Sequence, residues 1–167
     1  LAQGSSELNL SVVVDAKNGV TALRRIHTAF QLDRIGGGGH TAGAHADVVL
    51  LGYGAIGQRV AALVARNGRK SGAPRVVGII DRSGYLFDAD GLSAARLAAA
   101  TKAKRAGKGI ATLEGAHASA TAESLAHIAR HALSHPVCID VTADATMPLL
   151  MDAARAGMDI VMANKRP

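Results

Sequence analysis

Apolar and polar positions alternate along residues 8–14. Leu8, Leu10, Val12 and Val14 fall on one face, which predicts a half-buried strand. After a turn at residues 15–19, Val20, Leu23, Ile26 or His27, and Phe30 recur at helical spacing, with Arg24 and Arg25 outside. One strand and one helix cannot bury an apolar face alone, so the pair must dock elsewhere. Residues 33–45 have no periodicity and include Gly36, Gly37, Gly38 and Gly39 in succession. Such a run is a flexible linker. It is not a phosphate loop, because no strand feeds it and no helix follows directly.

From residue 46 the pattern changes. A short apolar run, 48–51, meets Gly52-Tyr53-Gly54-Ala55-Ile56-Gly57, a helix-like stretch follows, and a second apolar run ends in Asp81. Residues 82–91 read as a polar loop, and 92–105 as an Ala-rich helix. Residues 107–115 read as a break. A further helix is predicted over 120–133, with Leu125, Ile128, Ala129 and Ala132 toward a core, stopped by His135-Pro136. Residues 137–141 form a short apolar strand. Thr146 or Asp144 is placed to cap a helix over 147–156, which Gly157 ends. A last strand, 159–163, closes on Asn164-Lys165. Strand–helix alternation predicts an α/β chain with a doubly wound parallel sheet. Parallel strands share a direction, so Gly52, Asp81, Thr142 and Asn164 should meet at one sheet edge, where such sheets bind ligands.

Composition agrees with that architecture. The 167 residues suit one domain or one domain plus a fragment. Aromatics make up only 2 %, without Trp, so Val, Ile, Leu and Ala must build the core, as in buried parallel strands. The single cysteine, Cys138, lies in an apolar run and reads as a core residue; one cysteine excludes an internal disulfide and favours a cytoplasmic setting. The net charge of +6 is spread over helices and loops, and four Phe and Tyr residues offer little base-stacking surface. Nucleic acid is therefore not an expected partner. The densest basic stretch, 101–108, reads as a solvated helix end. No secretory signal and no uninterrupted apolar run long enough to span a bilayer is present, so no membrane partner is expected.

The glycine turn carries the chemistry. Strand, G-x-G-x-x-G, helix, strand and acid, in that order, are the fingerprint of a dinucleotide site. Gly52 allows the tight turn, Gly54 lets the backbone approach a pyrophosphate, and Gly57 lets helix and strand pack. The helix start offers free N–H groups and a positive dipole end. Asp81 is placed to accept from an adenosine ribose, which favours NAD. Arg82 is placed to stack on adenine or pair with a 2′-phosphate, which favours NADP. Thr142 lies where a nicotinamide would sit, and Asp140 either helps there or closes a structural network. Lys165, at the same edge, is placed to bind a carboxylate or polarise a carbonyl. His127, His131 and His135 recur every four residues, but no acid or cysteine joins them at ligand spacing, so a solvated face is expected and no metal.

Four stretches together resemble the nucleotide-binding half of homoserine dehydrogenase: 51–60 (LGYGAIGQRV), 76–92 (VVGIIDRSGYLFDADGL), 138–144 (CIDVTAD) and 156–167 (AGMDIVMANKRP). Residues 5–30 resemble the closing strand and helix of the ACT regulatory region of aspartate kinases. The whole is similar to a bifunctional aspartokinase–homoserine dehydrogenase. The expected parts are an ACT-like remnant (1–32), a linker (33–45) and an NAD(P)-binding Rossmann domain (46–167). The resemblance implies NAD- or NADP-dependent interconversion of aspartate semialdehyde and homoserine, in threonine and methionine synthesis. It places Gly52, Gly54 and Gly57, with the backbone of Ala55 and Ile56, on the pyrophosphate. It places Thr142 and Ala143 by the nicotinamide, and Asn164 and Lys165 at the nicotinamide–substrate junction, Lys165 as the catalytic candidate. The family continues past Asn-Lys into a substrate and dimerisation domain. A chain ending at Pro167 is thus expected to hold cofactor without turning over homoserine, and its parent to be a homo-oligomer. A regulatory nucleotide-sensing module would need the same glycine turn. Another semialdehyde dehydrogenase would want a nucleophilic cysteine, for which Cys138 is poorly placed.

Overall fold

The computed structural model describes residues 3–6, 9–19, 22, 25–26, 29–30, 45–68, 72–131 and 133–167. The chain divides into two compact units, Leu1–Thr41 and Ala42–Pro167. In the first unit β1 (Gln3–Ser6) pairs antiparallel with β2 (Asn9–Val12). The strand predicted over 8–14 is therefore shorter and has a partner strand that its own pattern did not reveal. Val12, Val13 and Val14 are exposed. Residues 22, 25, 26 and 29 are helical, and Phe30 N–H donates to the Ile26 carbonyl. Val20, Leu23 and His27 of that predicted helix lie outside the described residues, as does the glycine run.

The second unit is a three-layer α/β fold. Its strands are β3 (Asp47–Leu51), β4 (Arg75–Asp81), β5 (Gly84–Phe87), β6 (Ala116–Ala118), β7 (Pro136–Asp140) and β8 (Asp159–Met162). Its helices are α1 (Ala55–Asn67), α2 (Ala94–Arg105), α3 (Thr121–Ala129) and α4 (Met147–Arg155). The sheet order is β6-β5-β4-β3-β7-β8. Strands β4, β3, β7 and β8 are parallel, while β5 and β6 join antiparallel. The sheet is thus mixed, which corrects the expectation of a parallel one. Residues 82–91 contain a tight turn and β5 rather than a loop. Tyr85 and Leu86 are buried there, and too short a run separates them from Asp81 for periodicity to register a new strand. β6 was missed for the same reason, being three residues long.

Strand β3 is buried at every position. Val49 and Leu51 face a core shared with Leu125 and Ile128 of α3 and Leu150 and Ala153 of α4. Val48 and Leu50 face a second core with Ala61 of α1 and Leu97 and Ala100 of α2. One strand therefore feeds two layers, which is why its sequence is a continuous apolar run rather than an alternating one. Leu125 and Ile128 take the core places expected of them and Ala129 is half-buried; the side chain of Ala132 lies outside the described residues. α3 stops at Ala129, short of the predicted 133. No described helix is long and apolar enough to cross a membrane.

At the N-terminal ends of the strands, Asp47 is buried to 1 % exposure and acts as a bracket. Its carboxylate accepts from Arg75 Nε at 2.7 Å and from the Ser134 amide at 2.7 Å, tying β3 to the start of β4 and to the segment before β7. Arg75 also donates to the Ala89 and Asp90 carbonyls, holding the turn after β5. Asp47→Ala would strand a buried guanidinium edge and an amide. The expected loss is about 3–5 kcal/mol, read as a lower urea midpoint at unchanged slope.

Candidate functional site

Register puts four loops at one edge. Leu51 lies opposite Ile80 and Asp140, and Asp140 opposite Met162. The ladder runs on past the strands: Gly52 N–H donates to Ile80, Val141 N–H to Leu51, and Ala163 N–H to Asp140. Between these loops lies a cavity of about 660 Å³, within the ordinary range for small-molecule sites. Gly52, Gly54, Asp81, Arg82, Thr142 and Ala143 line it. Ala55, Ile56, Gly57, Asn164 and Lys165 do not. Ile56 is 56 % exposed and Lys165 is exposed, whereas Gly57 and Asn164 are buried behind the wall.

The three glycines of the turn have different reasons. Gly52 has φ +98°, left-handed backbone against which Thr142 packs. A Cβ on Gly57 would run into the Gly52 carbonyl oxygen, so this residue lets α1 sit against the turn. Gly54 has ordinary extended backbone and open space where a Cβ would be. The fold does not require glycine there. Gly54 is the N-cap of α1, lines the cavity, and has no side chain to satisfy the first-turn amides.

The β7 loop is organised by one buried carboxylate. Asp140 is 0 % exposed. Its Oδ1 accepts from the Thr142 amide (2.9 Å) and hydroxyl (2.7 Å), and its Oδ2 from Thr146 Oγ1 (2.5 Å) and Asn164 Nδ2 (3.1 Å). Asn164 Nδ2 also donates to the Asp144 carbonyl at 2.7 Å, and its Oδ1 accepts from the Arg166 amide. The open alternative for Asp140 resolves as the structural network. Thr146 does occupy the N-cap of α4, but its hydroxyl goes to Asp140 and caps nothing. Burial alone would raise the Asp140 pKa. Thr146, Thr142 and Asn164 outweigh it and hold the carboxyl below its ordinary value.

Asp81 is equally committed. Oδ1 accepts from the Ser83 amide (2.8 Å) and hydroxyl (2.6 Å), and Oδ2 from Lys104 Nζ (2.7 Å) and the Ile110 amide (3.2 Å). Ser83 Oγ in turn accepts from the Ala111 amide. The carboxyl ties the end of β4 to the segment after α2. Burial would raise its pKa, but Lys104, Ser83 and Ile110 lower it below the usual range. Arg82 reaches across the cavity mouth to Asp144, Nε to Oδ2 and Nη2 to Oδ1, both at 3.3 Å. That pair is solvent-exposed, so it holds the mouth only weakly.

Lys104 and Lys108 also line the cavity, with Gly107, Gly109 and Thr121. Sequence reasoning missed them. The basic stretch was visible, but its reading as a solvated helix end fails for Lys104, which is three-quarters buried and paired. The only signal was Gly-x-Gly at 107–109 directly after the basic run. Cys138 is a buried core thiol pushed up to about 12 by burial and then by Asp140. Among the described residues no group of three or more His, Cys, Asp or Glu is placed to hold a metal.

The glycine turn at the start of α1 thus faces the loop after β7 across a cavity whose wall carries Arg82, Lys104 and Lys108 with Asp81 and Asp144. The profile of the Glutamate/Leucine/Phenylalanine/Valine dehydrogenase family matches residues 29–161. The chain belongs to this family. Two solved structures are similar in fold: a hyperthermophilic archaeal homoserine dehydrogenase in complex with NADPH, and a mutant of such an enzyme with NADPH. Each is 23 % identical with a TM-score of 0.56, over 72 % and 71 % of this chain. The chain spans only 36 % and 35 % of theirs, about a third of their length. A search of curated proteins finds no match. The fold is thus that of a dehydrogenase nucleotide-binding unit.

Asp140→Asn tests the loop network. The folded carboxyl titrates below the ordinary carboxylate range. Its stabilisation is therefore present above about pH 4 and lost as pH falls through the folded pKa. The variant should lose about 1.5–3 kcal/mol at neutral pH. Its urea midpoint should also fall less steeply than that of the parent chain below pH 4.

Proposed function

We propose that this chain holds NADP(H) in the cavity beneath Gly52 and Gly54, and that it serves the interconversion of aspartate semialdehyde and homoserine. The pyrophosphate lies against the α1 amides and Gly54, and the nicotinamide lies beside Thr142 and Ala143. The backbones of Ala55 and Ile56 supply the amides, while Gly57 and Asn164 act from behind the wall. When bound, the cofactor supplies a hydride. The protein supplies the dry, oriented pocket for it.

The observation that carries the reading is the state of Asp81. An acid at this position would serve a ribose diol, yet both of its oxygens are occupied by Ser83, Lys104 and Ile110. Its charge is offset by Lys104, and Arg82, Lys104 and Lys108 present cations to the same cavity, with Asp144 the acid paired to Arg82. A wall of that chemistry suits a 2′-phosphate. Releasing Arg82 from Asp144 for that purpose costs little, because the pair is exposed. Of the two opposed readings of this strand end, the ribose for Asp81 and the 2′-phosphate for Arg82, this proposal takes the second.

The homoserine reading rests on the resemblance of 138–144 and 156–167 and on the two structures similar in fold. Lys165, beyond β8 at the same edge, is the proposed group for the substrate carboxylate or carbonyl. Family membership favours a second reading, NAD(P)-dependent deamination of an amino acid. The protein carrying this chain separates the two when offered L-homoserine, glutamate and leucine with NADP⁺. Activity on glutamate or leucine alone would overturn the homoserine reading.

Cofactor binding is measurable on this chain by nicotinamide fluorescence. NADPH should bind more tightly than NADH, and the absence of binding of either at millimolar concentration would refute the site. Gly54→Val should weaken NADPH at least tenfold at unchanged thermal stability, since space for a side chain exists in the folded chain but not beside a phosphate. Lys104→Ala removes a charge-assisted contact and frees Asp81 for a ribose. It should shift the NADPH-to-NADH ratio about tenfold toward NADH.

A further inference from the structure

A second cavity, of about 470 Å³, lies away from the nucleotide cavity and shares none of its lining residues. It sits at the β6 edge of the sheet, between β5 and β6 on one side and α3 on the other. Tyr85, His117, Ser119, Glu123, His127 and Arg130 supply its chemistry. Tyr85 stacks on His117 at 5.1 Å and 23°, and meets His127 tilted at 5.3 Å and 38°. His127 continues to His131 at 5.0 Å, and His131 to Phe87 at 4.5 Å. The Tyr85 ring thus fixes two imidazoles on either element of the cavity wall. His117, His127 and His131 are exposed, so the solvated face that the spacing of the last two suggests is what the structure has.

Arg130 and Glu123 are the charged groups of this wall at neutral pH, and the imidazoles add positive charge only when protonated. Among the described residues no carboxylate lies within ion-pair distance of Arg130, His117 or His127. Glu123, the one acid on the wall, accepts from the Ser119 hydroxyl instead. Desolvation, then the positive charges of His131, His117 and Arg130, depress the His127 pKa. With the imidazoles protonated, positive charge around the concavity exceeds that of Glu123, and an anion relieves the excess. Glu123 and the carbonyl end of α3 oppose an anion. His131 Nδ1–H meets one of those carbonyls, that of His127, and a guanidinium with two imidazoles exceeds the remainder.

We propose that this cavity binds a small free oxyanion, held by the Arg130 guanidinium and by His117 and His127 in their protonated forms. Binding is coupled to protonation. Affinity rises as pH falls through the imidazole pKa values, and the bound anion raises those values in turn. Other titratable groups facing the imidazoles are Tyr85 from β5, and Glu123, Arg130 and His131 on or next to α3.

Sulfate is the probe, because its charge is constant between about pH 5 and 8. It is titrated into the full chain at constant ionic strength, with chloride as control, and the imidazole C–H resonances are followed. At pH 5.5 sulfate should shift His117 and His127 saturably and His135 not at all. Affinity should fall about tenfold by pH 8. Arg130→Gln, on the surface, should weaken binding at least fivefold and raise the His127 pKa in the absence of anion. Gly54→Val should leave sulfate binding here unchanged, which separates this site from the nucleotide cavity. Equal shifts with chloride, affinity independent of pH, or affinity unchanged in Arg130→Gln would each overturn the proposal.

Discussion

A single buried carboxylate, Asp140, holds the working edge of the sheet together. It ends the strand next to β3, and four donors from three separate stretches converge on it: Thr142, Thr146 and Asn164. Water is excluded there, so each donor must find its partner within the protein. The loop over the cavity, the start of α4 and the chain beyond β8 are consequently fixed as one piece. Thr142 and Ala143 inherit their position at the cavity from that network rather than from any local turn preference.

Asp81 does the same across the cavity. Its oxygens hold Ser83 and reach Lys104 and Ile110, joining the end of β4 to the end of α2 and the segment beyond. Two acids at equivalent strand ends thus serve as internal anchors, and both are held ionised by the donors around them. On the cavity wall Asp81 is paired with Lys104 and Asp144 with Arg82, and Lys108 adds a third cation.

Much of the fold could be read along the chain. The apolar run at 48–51, the glycine turn and the run ending at Asp81 identified the central unit, and four parallel strand ends were placed at one edge. The antiparallel strands β5 and β6 were not legible, because four and three residues are too few for a period to show. Of the site, Gly52, Gly54, Asp81, Arg82, Thr142 and Ala143 were found from strand-end logic and resemblance. Lys104, Lys108 and Thr121 were not, since helical spacing alone does not say which face of a basic helix end meets a neighbouring loop.

What the sequence determined by itself was therefore local and periodic: which stretches are strands or helices, where glycine must turn the chain, and which ends are brought to one edge. Tertiary structure decided the partners. It turned Asp81 from a ribose acceptor into an anchor, Asn164 and Thr146 into parts of the Asp140 network, and set His127 of α3 against the Tyr85 ring. The physical reason is common to all of these. A polar side chain's role depends on which donor or charge lies within about 3 Å once water is removed. Those neighbours come from residues tens of positions away, which no periodicity records.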